Sequence, residues 1–378
     1  MLETKRFVSP KNMLSFVDQD LHQIYEKIQS NTRLSFEDGL KLFQTHDLLG
    51  LGKLASILKE RLHGPKVYYV FNRHVNYSNV CLNLCKFCAF GRPPEHKEAY
   101  ELSIDEIIEK LEASSGKIRE IHIVGGLHPN LPYQYYLDLL RAIKDRFPEA
   151  QIKAFTCVEI DHLAKISGKT IENVLLDLKE AGLSCLPGGG AEVFSERIRQ
   201  KLCPEKITGK KWLEITRIAH ELGIPSNATM LYGHLETIEE RLEHLLALRE
   251  LQDETNGFLC FIPLPFLPQK SYLRKEVAPT TGFEDLKMMA VSRLMLDNIP
   301  HLKAYWVFMG LKLAQVALHF GADDLHGTVL EEKISEFSGA EEEKALSRAE
   351  IERLIREAGF EPVERDALYR PLSASTGA

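Results

Sequence analysis

From about residue 66 onward, short β-type segments alternate with helical segments in a regular order. Apolar and β-branched runs predict strands over residues 66–71, 121–124, 152–155, 184–186, 226–231, 258–262 and 301–306. Helical patterns separate them, and capping boxes at Ser103 and Thr237 mark two helix starts. Because a helix between two strands makes those strands parallel, this order predicts an α/β fold, a (β/α)8 TIM-type barrel.

The length of the chain leaves room for a segment on each side of the barrel. The chain has 378 residues, and a barrel of this type needs about 250. We expect residues 1–65 to form an N-terminal helical extension that covers one end of the barrel, which itself spans residues 66–329. Residues 330–378 are expected to form a C-terminal helical extension, with a charged helix over 341–357 and a polar tail from 373.

Charge and hydropathy exclude two classes of partner. The chain is 44% hydrophobic and carries a formal net charge of −7, so it offers no basic field for nucleic acid. No apolar run approaches the roughly 18 residues that cross a bilayer, and the first residues do not resemble a signal peptide. We therefore expect a cytoplasmic protein that binds neither nucleic acid nor membranes.

Three of the seven cysteines lie within eight residues. Cys81, Cys85 and Cys88 have the spacing Cys-x3-Cys-x2-Cys, in the loop that follows the first predicted strand. A structural zinc site commonly uses four ligands in two separated pairs, and no second pair is present in the sequence. Three thiolates on one loop instead predict an inorganic centre with one open coordination position, which is typical of a reactive site.

The other four cysteines have a simpler interpretation. Their positions are Cys157, Cys185, Cys203 and Cys260, on or near apolar strands. A cysteine in such a place behaves as a small buried apolar residue. An odd number of cysteines in a chain of this size also argues against a disulfide framework.

The cluster resembles the fingerprint of the radical S-adenosylmethionine (SAM) superfamily, Cys-x3-Cys-x-aromatic-Cys, with Phe87 at the aromatic position. The resemblance implies that Cys81, Cys85 and Cys88 bind a [4Fe–4S] cluster whose fourth iron chelates SAM. It also implies an electron donor such as flavodoxin or ferredoxin. The reduced cluster then cleaves SAM into methionine and a 5′-deoxyadenosyl radical.

The second motif narrows the resemblance. Most superfamily members have Gly-Gly-Glu after the second strand, whereas this chain has Gly125-Gly126-Leu-His128-Pro. That departure resembles a smaller group, the futalosine-pathway and deazaflavin-cofactor synthases. Within this group, the chain is most similar to the aminofutalosine synthases of menaquinone biosynthesis, over residues 186–192, 203–206, 227–237 and 251–258. The resemblance implies addition of the adenosyl radical to 3-[(1-carboxyvinyl)oxy]benzoate, giving aminofutalosine, methionine and bicarbonate, with SAM consumed as a co-substrate.

Residues after the strands are the candidates for cofactor contact. By resemblance they are Phe87, Gly125, Gly126, Glu159, Gly189 and Glu192. Glycine permits a backbone to approach a ligand closely, although tight turns also use it. The superfamily supplies carboxylates here for the ribose hydroxyls and the methionine amine, but a glutamate that caps a helix has the same appearance in sequence.

The two carboxylates of the implied substrate require cationic or hydrogen-bonding partners. The candidates are Arg73, His74, His128, His234 and Arg293. His128, Tyr232 and His234 are also candidates for a catalytic role. For each of them, a structural ion pair or a packed side chain is the competing interpretation.

Three other functions remain open at this point. The cyclic dehypoxanthine futalosine synthases and the tyrosine-using deazaflavin-cofactor synthases share the barrel and the cysteine motif. An iron–sulfur electron carrier is the alternative outside enzymes. A carrier does not require a barrel whose strand-end loops hold glycines, carboxylates and histidines.

Overall fold

The computed structural model describes residues 15–113, 117–328, 333–339 and 345–372. These residues form fifteen α-helices and ten β-strands. The helices are α1 (Asp20–Gln29), α2 (Phe36–Gln44), α3 (Leu48–His63), α4 (Ile104–Glu112), α5 (Tyr133–Arg146), α6 (Cys157–Ser167), α7 (Ile171–Glu180), α8 (Glu196–Leu202), α9 (Gly209–Glu221), α10 (Ile238–Thr255), α11 (Gly282–Met295), α12 (Trp306–Met309), α13 (Leu311–Ala317), α14 (Lys333–Ser338) and α15 (Arg348–Glu357). The strands are β1 (Lys66–Val70), β2 (Asn72–Val75), β3 (Glu120–Ile123), β4 (Gln151–Ala154), β5 (Leu183–Cys185), β6 (Ser226–Tyr232), β7 (Phe258–Pro265), β8 (His301–Leu302), β9 (Asp324–Gly327) and β10 (Glu361–Glu364).

The strands close into a parallel barrel, as the alternation predicts. Strands β2 to β5 pair in order, as do β6 to β8. Isolated bridges, Leu186 with Ser226 and Lys303 with Asp324, connect β5 to β6 and β8 to β9. Strand β9 pairs with β1, and β1 and β2 are two parts of one barrel strand separated at Phe71. The ring therefore has eight strand positions, and the predicted (β/α)8 barrel is confirmed.

The first barrel strand is longer than the sequence pattern predicts. We expect it to end at residue 71, but it continues as β2 to Val75. The first part pairs with β9 and the second with β3, so the strand passes from one neighbour to the other as the barrel closes. In consequence Arg73 and His74 belong to the barrel wall, and the cysteine loop follows β2.

Local sequence explains where the surrounding helices begin. The predicted capping boxes are present, with Ser103 and Glu106 at the start of α4 and Thr237 and Glu240 at the start of α10. A third box, Thr156 with Glu159, starts α6 directly after β4. The core strands are buried on both faces, and all seven residues of β6 are buried. This is typical of parallel strands that helices cover from outside.

Helices α1 to α3 precede the barrel. Helix α2 packs against α10 and α11, and α3 packs along α11 on the outside of the barrel. At the end of α3, Nε2 of His63 lies 2.8 Å from the carbonyl oxygen of Pro300. The division of the chain at residues 65 and 329 into a barrel and two helical extensions stays a prediction.

The C-terminal segment contains a strand that the sequence pattern does not predict. Strand β10 pairs in parallel with β1 at the edge of the sheet, an edge position that tolerates Pro362. Helix α15 accounts for part of the charged helix predicted over 341–357; residues 341–344 and the tail from 373 lie outside the described residues. No helix in the described ranges is both long and apolar enough to cross a membrane.

Candidate active site

A cavity of about 310 Å³ lies at the carboxyl ends of the barrel strands. The loops after β2, β3, β4 and β5 form its rim, and inward-facing strand residues form its wall and floor. Its volume is within the range of small-molecule sites. In a barrel of parallel strands, this end is where loops from different strands bring reactive groups together.

The three clustered cysteines all line the rim of this cavity. Backbone N–H groups of Leu127 and Gly91 donate to the sulfur atoms of Cys81 and Cys88, each at 3.4 Å. Burial, opposed by the Leu127 N–H group and assisted by the neighbouring thiols, raises the pKa of Cys81 to about 11. Burial also raises the pKa of Cys88.

This donor set fits a cationic iron–sulfur cluster. Besides burial, the neighbouring thiols raise one another's pKa, so three thiolates on this one rim require positive charge at the same place. A metal cluster supplies that charge and binds thiolate sulfur. Cys81, Cys85 and Cys88 would hold it, each through one sulfur atom.

A fourth thiol, that of Cys203, lies beside Cys85 and outside the cavity lining. The neighbouring thiol of Cys203, together with burial, raises the pKa of Cys85. Cys203 is 1% exposed and does not line the cavity. The sequence predicts its burial but not its contact with Cys85.

The two glycines after β3 lie against the cysteine loop. A Cβ atom at Gly126 would lie 2.2 Å from the carbonyl oxygen of Val80 and 3.0 Å from Cβ of Cys81. At Gly125 it would lie 2.6 Å from the ring of Tyr77. Only glycine permits this approach, so the Gly125-Gly126 pair brings two rim loops together and lines the cavity.

Glu159 lines the cavity, but its carboxylate is already engaged by the protein. Oε1 accepts hydrogen bonds from the backbone N–H of Gly125 at 3.0 Å and the hydroxyl of Tyr77 at 2.9 Å. Oε2 accepts from the backbone N–H of Thr156 at 2.7 Å. Burial raises the pKa of Glu159 to about 7 against these hydrogen bonds. In this arrangement Glu159 positions the glycine loop; direct contact with SAM stays a prediction.

The loop after β5 supplies a second carboxylate. Oε1 of Glu192 lies 2.5 Å from Nζ of Lys206, and the lysine lies 5.1 Å from the ring centroid of Phe87. Glu192 has a φ of 50°, an unusual backbone conformation for a residue with a side chain. All three residues and Gly189 line the cavity. Lys206 is not among the site residues predicted from the sequence, although it ends segment 203–206, which contributes to the family resemblance.

Five basic side chains from the strands form what we call the cavity floor: His74, His122, Lys153, Lys303 and His326. The first three are adjacent across β2, β3 and β4 in the strand register. Of the five, only His74 is among the residues predicted as substrate partners. The signal for the others is present in the sequence, because each stands between apolar neighbours in a strand or at a strand end, as in Ile-Lys-Ala and Ile-His-Ile.

Arg73 does not line the cavity, contrary to expectation. Side chains alternate along a strand, so Arg73 faces away from the barrel interior where His74 faces into it. Its guanidinium lies 4.8 Å from the ring centroid of Phe71, and Nη1 donates to the carbonyl oxygen of Asn72.

Tyr232 and His234 are also turned away from the cavity. The hydroxyl of Tyr232 donates to Asp285 of α11 at 2.7 Å, because residues 227, 229 and 231 occupy the inward positions of β6. The buried side chain of His234 lies 2.7 Å from Oε2 of Glu236 within the following turn. Neither side chain lines the cavity, so this geometry does not support their predicted roles in catalysis or substrate binding there.

His128 and Arg293 have structural partners outside the cavity. Nδ1 of His128 accepts from two backbone N–H groups of its own turn, and Nε2 lies 2.8 Å from the carboxylate of Glu101. Arg293 is on α11 and pairs with Asp323 at 2.6 Å, near the amino ends of the strands. Neither lines the cavity, so the structure does not place them as partners for a substrate carboxylate there.

Comparison with protein families identifies both halves of the chain. Residues 75–248 match the family model described as the radical SAM superfamily. Residues 255–376 match the model described as the CofH/MqnC C-terminal region.

Three curated relatives are similar over most of the chain. The aminodeoxyfutalosine synthase of Thermus thermophilus is 49% identical over 335 residues, covering 88% of this chain and 90% of the relative. That of Streptomyces coelicolor is 44% identical over 323 residues, covering 83% and 84%. The 5-amino-6-(D-ribitylamino)uracil–L-tyrosine 4-hydroxyphenyl transferase of Methanopyrus kandleri is 43% identical over 291 residues, covering 76% and 79%.

Solved structures agree on the fold. Methylornithine synthase superposes with a TM-score of 0.72 at 18% identity, covering 90% of this chain and 97% of that structure. The hydrogenase maturase HydG superposes with a TM-score of 0.70 at 20% identity, covering 93% and 77%. At these identities the likeness concerns the fold alone.

Proposed function

The chain belongs to the radical SAM superfamily and is a radical SAM enzyme, and we propose that it is an aminofutalosine-forming synthase. In this proposal it joins the adenosyl group of SAM to 3-[(1-carboxyvinyl)oxy]benzoate. The products are 6-amino-6-deoxyfutalosine, methionine and bicarbonate, in menaquinone biosynthesis. The 49% identity to the Thermus thermophilus aminodeoxyfutalosine synthase over 88% of the chain is the observation that carries it.

The rim residues have defined tasks in this proposal. Cys81, Cys85 and Cys88 hold the [4Fe–4S] cluster, which when bound supplies the electron that cleaves the sulfonium of SAM. The Gly125-Gly126 backbone lies against the cysteine loop and would approach the methionine part of SAM. Glu159 holds Gly125 in place, so it would contribute to SAM binding through this loop.

In this proposal, the apolar part of the cavity wall would limit the access of water to the reacting atoms. Val124, Val158, Leu231, Ile262 and Leu264 line the cavity beside the rim groups. Apolar walls limit side reactions of a radical with solvent and provide surface for an aromatic ring. In this proposal, the benzoate ring lies between the rim and the floor and packs against these apolar side chains.

The test supplies the protein with each candidate substrate in turn. The anaerobically reconstituted, chemically reduced protein is incubated with SAM and 3-[(1-carboxyvinyl)oxy]benzoate, and products are identified by mass. We expect methionine and 6-amino-6-deoxyfutalosine in equal amounts. Methionine with only 5′-deoxyadenosine would contradict the proposed substrate, and no SAM cleavage under any reductant would contradict its assignment as a SAM-cleaving enzyme.

A second candidate is the tyrosine-using transferase reaction. The 43% identity to the Methanopyrus kandleri enzyme over 76% of this chain favours it. Incubation with 5-amino-6-(D-ribitylamino)uracil and tyrosine separates the two candidates, because only a transferase of that kind couples them. Dehypoxanthine futalosine is the third substrate in the same series. The electron donor, flavodoxin or ferredoxin, and a cytoplasmic location stay predictions.

A further inference from the structure

The buried cations in and beneath the cavity floor outnumber the buried carboxylates beneath it. Lys153 and Lys303 are each 1% exposed and face the cavity. Below them, toward the amino ends of the strands, lie the carboxylates of Glu120 and Asp324 and the guanidinium of Arg365, all fully buried. Counted as ionised, three cations face two carboxylates. One positive charge in this interior lacks a negative counterpart.

Contacts within this group show which cation is in excess. Arg365 lies 2.6 Å from Asp324 and 3.6 Å from Glu120. Lys153 lies 2.7 Å from Glu120. Nζ of Lys303 instead lies 3.3 Å from Nδ1 of His326, and no carboxylate oxygen of the described residues is within ion-pair distance of it.

The three histidines of the floor do not add charge. Burial lowers the pKa of His74 to about 3 and holds those of His122 and His326 well below the usual range. Asn72 connects His74 and His326, with Nδ2 at 3.3 and 3.4 Å from their Nε2 atoms. Neutral imidazoles around two lysines offer hydrogen bonds to an anion without competing for its charge.

We infer that the cavity floor binds the ring carboxylate of the aromatic substrate, with Lys303 and Lys153 as its cationic partners. The inference rests on the proposed function. The vinyl carbon of 3-[(1-carboxyvinyl)oxy]benzoate must meet the adenosyl carbon near the cysteine rim. The ring carboxylate, at the far end of that molecule, then points into the barrel. An anion there supplies the missing negative charge, and the apolar wall holds the ring between them.

Two ligands test the inference by equilibrium binding. The reconstituted protein is titrated with 3-[(1-carboxyvinyl)oxy]benzoate, and separately with 2-phenoxyacrylate, which lacks the ring carboxylate. SAM is present and reductant is omitted, so no turnover occurs. We expect the wild-type protein to bind the benzoate at least roughly 30-fold more tightly, because removing one partner of a buried charge pair costs about 2 kcal/mol or more. Equal affinities would overturn the inference without any variant.

Variants then assign the effect to Lys303. In Lys303→Met, binding of the benzoate should weaken roughly 30-fold, and binding of 2-phenoxyacrylate should change less than about threefold. The matched control is Lys59→Met, since Lys59 is also 1% exposed but contacts the carbonyl oxygen of Leu318 away from the cavity. Its affinity for both ligands should equal that of the wild type. An equal loss for both ligands in Lys303→Met would overturn the inference.

The proposed function and the proposed role of the cavity floor can be rejected separately. Wild-type turnover of the benzoate to 6-amino-6-deoxyfutalosine, with both ligands bound equally well, would support the reaction and reject the role of the floor. Absence of that product, with turnover of another substrate of the series, would reject the reaction itself and with it the identity of the aromatic ligand.

Discussion

Buried ionic groups lie at two levels of the barrel, and the two sets differ in how their charges are balanced. Near the amino ends of the strands, Arg293 and His301 both contact the carboxylate of Asp323, at 2.6 Å each. We call these three residues the amino-end cluster. In the cavity floor, the hydrogen-bond partner of Nζ of Lys303 among the described side chains is a neutral imidazole, that of His326, and no carboxylate is paired with it.

The difference separates structural from functional burial. Every polar atom of Asp323 in the amino-end cluster has a partner from the protein, including the backbone N–H of Leu302 at 2.7 Å. Such a set, in which the buried carboxylate is fully paired within the protein, stabilises the packing of α11 on the barrel. The floor holds an equally buried cation beside a cavity, an arrangement that a folded protein retains at a cost in stability. Burial alone does not distinguish these two cases, but the partners of each charge do.

The largest expected effect concerns the thiols. Cys81→Ala, Cys85→Ala and Cys88→Ala should each abolish bound iron and SAM cleavage, because each removes one of the three ligands that face the cavity. Iron content and visible absorbance of the anaerobically reconstituted protein provide the measurement. Cys157→Ala and Cys260→Ala are the controls, since these buried thiols do not line the cavity. Full activity in Cys85→Ala would refute the ligand assignment.

Removal of a buried cation should lower the free energy of unfolding in the amino-end cluster but not in the cavity floor. Arg293→Met leaves Asp323 with an uncompensated part of its charge and should lower the free energy of unfolding by about 3–5 kcal/mol. Lys303→Met removes a cation that burial disfavours, as the lowered pKa of Lys303 indicates, and should leave that free energy unchanged or raise it. Urea unfolding followed by circular dichroism measures both. A similar loss in the two variants would remove the distinction between the clusters.

A methyl group at the rim should matter more than one at an open helix end. Gly126→Ala forces a Cβ atom against the backbone of Val80, and overpacking of this kind costs about 1–3 kcal/mol. Because the same contact positions Cys81, iron occupancy should fall as well. In Gly168→Ala, no atom lies within 4 Å of the added carbon, but the residue has a φ of 67°. Stability should therefore decrease through backbone strain, while iron occupancy should not change. Normal iron content in Gly126→Ala would show that the two loops can separate.

The last expected effect is a dependence of stability on pH. Glu159 in the folded protein has its pKa raised from 4.5 to about 7 by burial, so the folded state binds more protons than the unfolded state between these values. Stability should therefore fall as pH rises from about 4.5 to about 7, by up to about 1.4 kcal/mol per pH unit for one group. Glu159→Gln should lack this component, which urea titrations at pH 5 and pH 7 measure. An identical pH dependence in the two proteins would assign the proton to another group.

Much of the fold and part of the site could be predicted from local sequence. The β-α alternation predicts the closed barrel, and the capping boxes at Ser103 and Thr237 predict two helix starts, because these signals depend only on neighbouring residues. Strand β10 was missed because its pairing with β1 joins segments almost 300 residues apart, which no local pattern reports.

The side chains around the cavity also fall into two groups, those predictable from local sequence and those whose orientation depends on the tertiary structure. Cysteine spacing and the Gly125-Gly126 pair were sufficient to select the rim, since ligands on one short loop and a turn without side chains are local properties. Which histidine, arginine or lysine faces the cavity was decided by the tertiary structure. The continuation of the first strand to Val75 turns His74 inward and Arg73 outward, and barrel closure brings Lys153 and Lys303 together from strands 150 residues apart. Orientation follows from strand register and closure, which depend on every pairing around the ring.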